Sequence, residues 1–189
     1  MIRSTTSSSP ELSVERVYQR TSGVANPNSS CGPAVGVMIA NYYRNIRNYS
    51  SVRNSNYYGG TAKHINHMYT MMNSYFFGTN QYSLHNGLET ELNLDKNLWI
   101  AKSRAYDTPG VEEPSLVNIK NAIDARYPLA LLENVNYSNG LRYHWTIIVA
   151  YNSSGQIGYY DPDGSISTMK WASWSSISRT RSYTYFALK

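Results

Sequence analysis

Arg142-Tyr143-His144-Trp145-Thr146-Ile147-Ile148-Val149-Ala150-Tyr151 is the strongest strand pattern in the chain, rich in β-branched and aromatic residues. Asn152-Ser153-Ser154-Gly155 follows as a hairpin turn. Ile157 to Tyr160 reads as the return strand, and Asp161-Pro162-Asp163-Gly164 as the β-turn that ends it. Upstream, Leu129-Ala130-Leu131-Leu132 is a short continuous apolar run that fits a buried strand, with a loop from Asn134 to Gly140. Downstream, Ser167 to Trp174 holds a short strand and a helical turn, and Ser182 to Leu188 is a final strand with aromatic alternation.

Before Leu129 the apolar period is mostly helical. Val35, Met38, Ile39, Tyr42, Tyr43 and Ile46 trace one face of a helix from about Gly32 to Arg47. Ile65, Met68, Tyr69 and Met72 do the same for a helix from Thr61, its cap, to Tyr75. A shorter helix runs through Leu88 and Leu92, from Gly87 to Leu98, with Phe76 to His85 as loop before it. Leu98 to Ala105 is a strand, and Ser115 opens a helix through Leu116, Ile119, Ala122 and Ile123 that Tyr127-Pro128 stops. Val14 to Tyr18 reads as a short strand or an extended entry. Helices first and an antiparallel sheet afterwards predict an α+β fold, with the N-terminal helices packed on a C-terminal antiparallel sheet.

A chain of 189 residues suits one domain with a real core. Residues 1–13 are Ser/Thr-rich and read as a flexible leader, leaving 14–189 as the domain. Charged residues are only 15% of the chain, so much of the polar surface falls to Ser, Asn, Thr, Gly and the 18 tyrosines. The net charge of +5 is scattered, with no run of basic residues, which argues against a nucleic-acid patch. The single cysteine excludes an internal disulfide and is compatible with a reducing compartment or with export. No apolar run is long enough to span a membrane, and the N-terminus has no apolar signal region. It reads as a flexible leader, or as the scar of a trimmed precursor.

That cysteine, Cys31, lies in Asn28-Ser29-Ser30-Cys31-Gly32-Pro33-Ala34, at or just before a helix start. Pro33 suits a first helical turn, and Asn28, Ser29 or Ser30 suits the cap. A helix N-terminus favours an anion by about 0.3–1 kcal/mol. That is too little to ionise a thiol fully at neutral pH, so an activated cysteine also needs a cation, usually histidine. Among the four histidines, His144 alone opens a strong strand, a rigid place from which to fix a ring nitrogen. Tyr143 and Trp145 flank it and would shelter an ion pair. A histidine base needs a third group to set its tautomer. The hairpin after His144 carries the chain back to Asp161, so the two can be neighbours at the open end of the strand pair. His64 and His67 share a helix face but lack a third ligand, which predicts a solvated face and no metal.

The segments around Cys31, Tyr143-His144-Trp145-Thr146-Ile147-Ile148-Val149-Ala150-Tyr151 and Ile157-Gly158-Tyr159-Tyr160-Asp161-Pro162 resemble the C39-like cysteine peptidases in identity and order. The resemblance runs roughly from Val14 to Lys189 and implies a papain-like fold. It also implies Cys31 as nucleophile, His144 as base and imidazolium partner, and Asp161 as the orienting carboxylate. The family places a glutamine upstream of the cysteine for the oxyanion. Gln19 is the only candidate by type, with Asn28 as the alternative. The transporter-linked members, which trim leaders after a double glycine, carry a membrane domain and an ATPase, and neither is present here. The resemblance therefore points to the stand-alone, secreted bacterial type. The expected function is hydrolysis of a peptide bond through a Cys31 thioester, with a peptide or protein substrate and no cofactor or metal. Acyl or amide transfer on the same three residues stays open, as does a non-catalytic module for peptide or cell-wall binding, which the Tyr-rich basic surface would suit.

Overall fold

The computed structural model describes residues 10–106, 108–137, 140–164, 167–176 and 182–189. Among these, four α-helices precede or interleave with six strands: α1 (Cys31–Asn41), α2 (Thr61–Met71), α3 (Gln81–Leu92), β1 (Trp99–Ala105), α4 (Leu116–Asp124), β2 (Leu129–Tyr137), β3 (Gly140–Tyr151), β4 (Gln156–Tyr160), β5 (Lys170–Ser173) and β6 (Ser182–Leu188). The strands form one antiparallel sheet in the order β1-β6-β2-β3-β4-β5. The expected α+β architecture is the observed one, with β6 inserted between β1 and β2.

The first helix is central. From Ala34 to Ala40 every residue is buried, so it lies inside the molecule rather than presenting one face to a core. It packs on α2 and β3 and continues as a π-helical segment, Tyr42–Ile46, which closes with Arg47 N–H on the Tyr42 carbonyl. That irregular turn aims Tyr43 inward. Its ring stacks on Trp99 at 4.2 Å and its hydroxyl donates to the Phe186 carbonyl at 2.7 Å.

Several boundaries differ from the sequence reading. The cap position of α2 is Gly60 at φ 126°, a conformation that favours glycine, and Thr61 is already helical. The third helix starts at Gln81, well before Gly87, because Asn80 accepts the Ser83 N–H as its cap. Gly87 then falls inside the helix, where a Cβ would come within 2.6 Å of the Met71 carbonyl. The expected loop from Asn134 to Gly140 is largely strand, since β2 runs on to Tyr137 and β3 begins at Gly140. Val14 to Tyr18 forms no strand, which leaves the entry-segment alternative. Instead Glu11 bridges Ala150, and Leu12 N–H donates to the Val149 carbonyl at 2.8 Å. Residues 10–12 of the expected leader are thus fixed along β3, and residues 1–9 lie outside the described set. No described helix is long and apolar enough to cross a membrane.

Candidate active site

The chain enters α1 through a 3₁₀ turn, Pro27–Ser29, and Cys31 is the first residue of the helix. None of the three expected caps acts as one. The Ser30 hydroxyl donates to the Asn26 carbonyl at 2.7 Å, Ser29 pairs with the Tyr69 hydroxyl at 3.3 Å, and the Asn28 amide oxygen accepts from Arg20 at 2.6 Å. The helix N-terminus is therefore left without a side-chain cap, and Cys31 stands at its positive dipole end. The thiol is buried and donates to the Tyr143 carbonyl at 3.6 Å. Gly32 is required by packing: a Cβ there would stand 2.8 Å from Thr79 Oγ1 and 3.1 Å from the Trp145 ring. Trp145 is fully buried and donates its indole N–H to the Thr79 carbonyl at 2.6 Å. It thus packs β3 against the start of α1.

The His144 ring reaches Asp161 with Nε2 at 3.1 Å from Oδ1. Cys31 is near enough for its charge to favour the protonated ring. With Nε2 turned to the carboxylate, Nδ1 is the nitrogen left for the thiol. The register of β3 with β4 decides this meeting. Near the turn, Tyr151 pairs with Ile157 and Ala150 with Gly158, but beyond a bulge Ile148 pairs with Tyr159 and Ile147 with Tyr160. Continued past Tyr160, that register sets Asp161 opposite Thr146, on the same face as His144. Without the extra residue at Val149, Asp161 would oppose Ile147 and face away from the imidazole.

Every oxygen of Asp161 is engaged. Oδ1 accepts from His144 and from the Asp163 backbone N–H at 3.0 Å, Oδ2 lies 3.3 Å from Lys170 Nζ, and the main-chain carbonyl accepts from Arg16 at 2.8 Å. Arg16 also donates to the Gly164 carbonyl, and Arg20 grips Asp163 through two bonds of 2.5 and 3.1 Å. So the Asp-Pro-Asp-Gly segment is a bend closed by the Asp161 side chain on the Asp163 N–H, and it holds a carboxylate.

Burial works against a charge on His144, but the hydrogen bond with Asp161 and the charges of Cys31 and Asp161 outweigh it, and the imidazole is pushed up to about 10. Burial likewise opposes the Asp161 charge. The His144 hydrogen bond and charge, the Asp163 N–H and Lys170 together hold the carboxyl well below the usual carboxylate range.

Gln19 is buried and close by. Its backbone N–H donates to the Pro162 carbonyl at 2.9 Å, and its side-chain Nε2 donates to the Pro27 carbonyl at 2.7 Å, in the turn leading into Cys31. One N–H of that amide is thereby used. Asn28 is exposed and held by Arg20, so it is the less suitable of the two.

Arg16, Arg20 and Lys170 were not expected at this site. They are scattered charges on an entry segment and an edge strand, and no local pattern distinguishes them. His64 and His67 are not a solvated pair. His64 is fully buried, with Nδ1 3.2 Å from Ser55 Oγ and its ring stacked on Tyr58, while His67 pairs with Glu91 at 2.8 Å. Among the described residues no three His, Cys, Asp or Glu side chains are grouped to hold a metal ion.

The fold is similar to that of the peptidase domain of Streptococcus ComA, a bi-functional ABC transporter involved in a quorum sensing pathway. The match has a TM-score of 0.54 at 15% identity and covers 85% of this chain and 92% of that one. No curated protein matches the sequence. At this identity the structural likeness shows the fold alone, which is α+β and papain-like. The sequence carries the assignment further: residues 11–186 match the model of the Peptidase_C39 like family, and the chain belongs to that family.

Proposed function

We propose that this protein is a cysteine peptidase that cleaves a peptide bond through a thioester on Cys31. In this reading the Cys31 thiolate attacks the scissile carbonyl and His144 carries the proton as imidazolium. The tetrahedral oxyanion is met by the Cys31 backbone N–H and by the Gln19 amide. His144 then protonates the departing amine as the C–N bond breaks, and water, activated by the neutral imidazole, releases the acid and restores the thiol. Asp161 orients the ring and stabilises its protonated form. The observation that carries this reading is a thiol at a helix start on the Tyr143 carbonyl, next in the chain to an imidazole that is itself held by a fully engaged carboxylate.

The test is the rate of Cys31 alkylation by iodoacetamide at pH 6. An ordinary thiol is only about 0.3% thiolate there, so an ion-paired cysteine should react on the order of 10²-fold faster. The wild type is expected to show that excess and His144→Ala to lose it, with hydrolysis of a fluorogenic peptide pool lost in Cys31→Ser and His144→Ala alike. Alkylation at the free-thiol rate in the wild type would overturn the reading.

A further inference from the structure

The carboxylate behind His144 does not act on it alone. Asp161 Oδ2 faces Lys170 Nζ at 3.3 Å, and both side chains are largely shielded from solvent, with 18% and 32% of their surface exposed. Lys170 begins β5, whose register with β4 pairs it with Tyr159, so the ammonium stands beside the end of β4 from which Asp161 projects. The approach depends on Gly164: a Cβ there would lie 3.2 Å from Nζ and 3.6 Å from Oδ2. A side chain at that position would crowd the ammonium against the carboxylate it contacts.

We propose that Lys170 is a positioning residue that shares the Asp161 charge with His144 and so sets the acidity of the imidazolium. The proposal rests on the peptidase reading above. An ammonium on Oδ2 fixes the rotation of the carboxylate and leaves Oδ1 aimed at Nε2. The same ammonium also cancels part of the negative field at the ring. A bare carboxylate hydrogen-bonded to an imidazolium in a buried site holds the proton too firmly for it to pass to a leaving amine, and a general acid works best when its pKa lies near the working pH. Lys170 moves His144 in that direction. Among the described residues, the other charged or titratable groups around the pair are Cys31 at the start of α1, Glu133 opposite His144 in the β2 register, Arg16 on the Asp161 carbonyl, and Asp163 with its partner Arg20. All of these stay in place when Lys170 is changed.

The experiment is an NMR titration of the His144 imidazole in protein labelled with ¹³C-histidine, its signal assigned by its loss in His144→Ala. Wild type, Lys170→Met and Lys170→Arg are compared, with Lys170→Gln in reserve should Met fail to fold on the edge strand. Removing one partly screened charge at this range is expected to raise the His144 midpoint by about half to one pH unit. The Arg variant should return the midpoint to the wild-type value, because it restores the charge. A merely structural lysine would move thermal stability and leave the titration unchanged. A Met variant that titrates with the wild type, or an Arg variant that titrates with Met, overturns the proposal. Alkylation of the wild type at pH 6, measured in parallel, separates the two failures. Fast alkylation with an unmoved titration sinks the role of Lys170 alone, and alkylation at the free-thiol rate sinks the peptidase reading.

Discussion

Gln19 carries two duties that can be separated by experiment. Its amide holds the Pro27 carbonyl, and in the proposed mechanism its second N–H meets the oxyanion. Alkylation of Cys31 by iodoacetamide generates no oxyanion, whereas peptide hydrolysis does. Gln19→Ala is therefore expected to lower kcat for a fluorogenic peptide by about 10²–10³ while alkylation at pH 6 changes by no more than a few-fold. A parallel fall in both rates would show that the residue matters only for the shape of the turn. Gln19 Oε1 is buried and meets no donor among the described residues, a cost accepted at a site where the same amide is held for its N–H groups. Gly32 is the other residue at which one atom decides the outcome, since Thr79 and Trp145 occupy the space a side chain would take next to the nucleophile.

At the level of elements, the β3–β4 ladder is what unites His144 with Asp161, and the bulge at Val149 is its critical feature. The bulged residue is held from outside the pair, where its carbonyl accepts the Leu12 N–H. On the other side, Gly158 pairs with Ala150 at the edge of the bulge, and a Cβ at Gly158 would come 2.9 Å from the Ala150 Cβ and 2.7 Å from the Met169 sulfur. Gly158→Ala is expected to cost about 1–3 kcal/mol of stability, as overpacked sites do. It should also slow Cys31 alkylation, because the register that presents Asp161 is disturbed. Urea denaturation and the alkylation rate check the two effects. Lower stability with the wild-type alkylation rate would mean that the ladder tolerates the strain without moving Asp161. The same logic applies where α3 meets the end of α2. There Gly87 faces Met71 and Met72 backbone atoms at 2.6 Å, which cannot move aside, whereas Gly36 faces the flexible end of Met72.

For the whole molecule, two histidines set opposite limits on stability against pH. Burial, with a smaller contribution from the charge of neighbouring His67, drives His64 down to about 3. The unfolded chain takes up that proton near 6.5 and the folded chain does not, so stability falls as pH drops from about 6.5 toward 3. At about 1.36 kcal/mol per unit, the loss amounts to several kcal/mol over that window. His144 works the other way. Raised to about 10, it contributes fully below 6.5 and loses that contribution as pH rises through its folded value. Thermal melts by circular dichroism are expected to peak near neutrality, with His64→Gln flattening the acid limb and His144→Ala the alkaline one. A Tm that stays level between pH 7 and 5 in the wild type would contradict the role given to His64.

How much of this was legible depends on the range of the interaction. The helix start at Cys31, the long strand bearing His144, the hairpin to Asp161 and the cap at Ser115 are local, and they follow from turn chemistry and apolar period within a few residues. The order of motifs in one dimension was enough to point to the papain-like α+β fold and the C39-like family. The start of α3 was also local, in Asn80 and its Ser83 partner, but a run of aromatics before it and a glycine within it obscured the signal. What no local pattern contains is the bulge, because a strand with one residue to spare reads the same as a strand without it, yet that residue reverses which face Asp161 presents. Nor does any pattern reveal that Lys170 reaches the Asp161 carboxylate while Arg16 holds its main-chain carbonyl. Sequence by itself determined which groups were available for the chemistry. Tertiary structure decided which of them meet, because hydrogen bonds and charges act over a few ångströms of space between residues that the chain holds far apart.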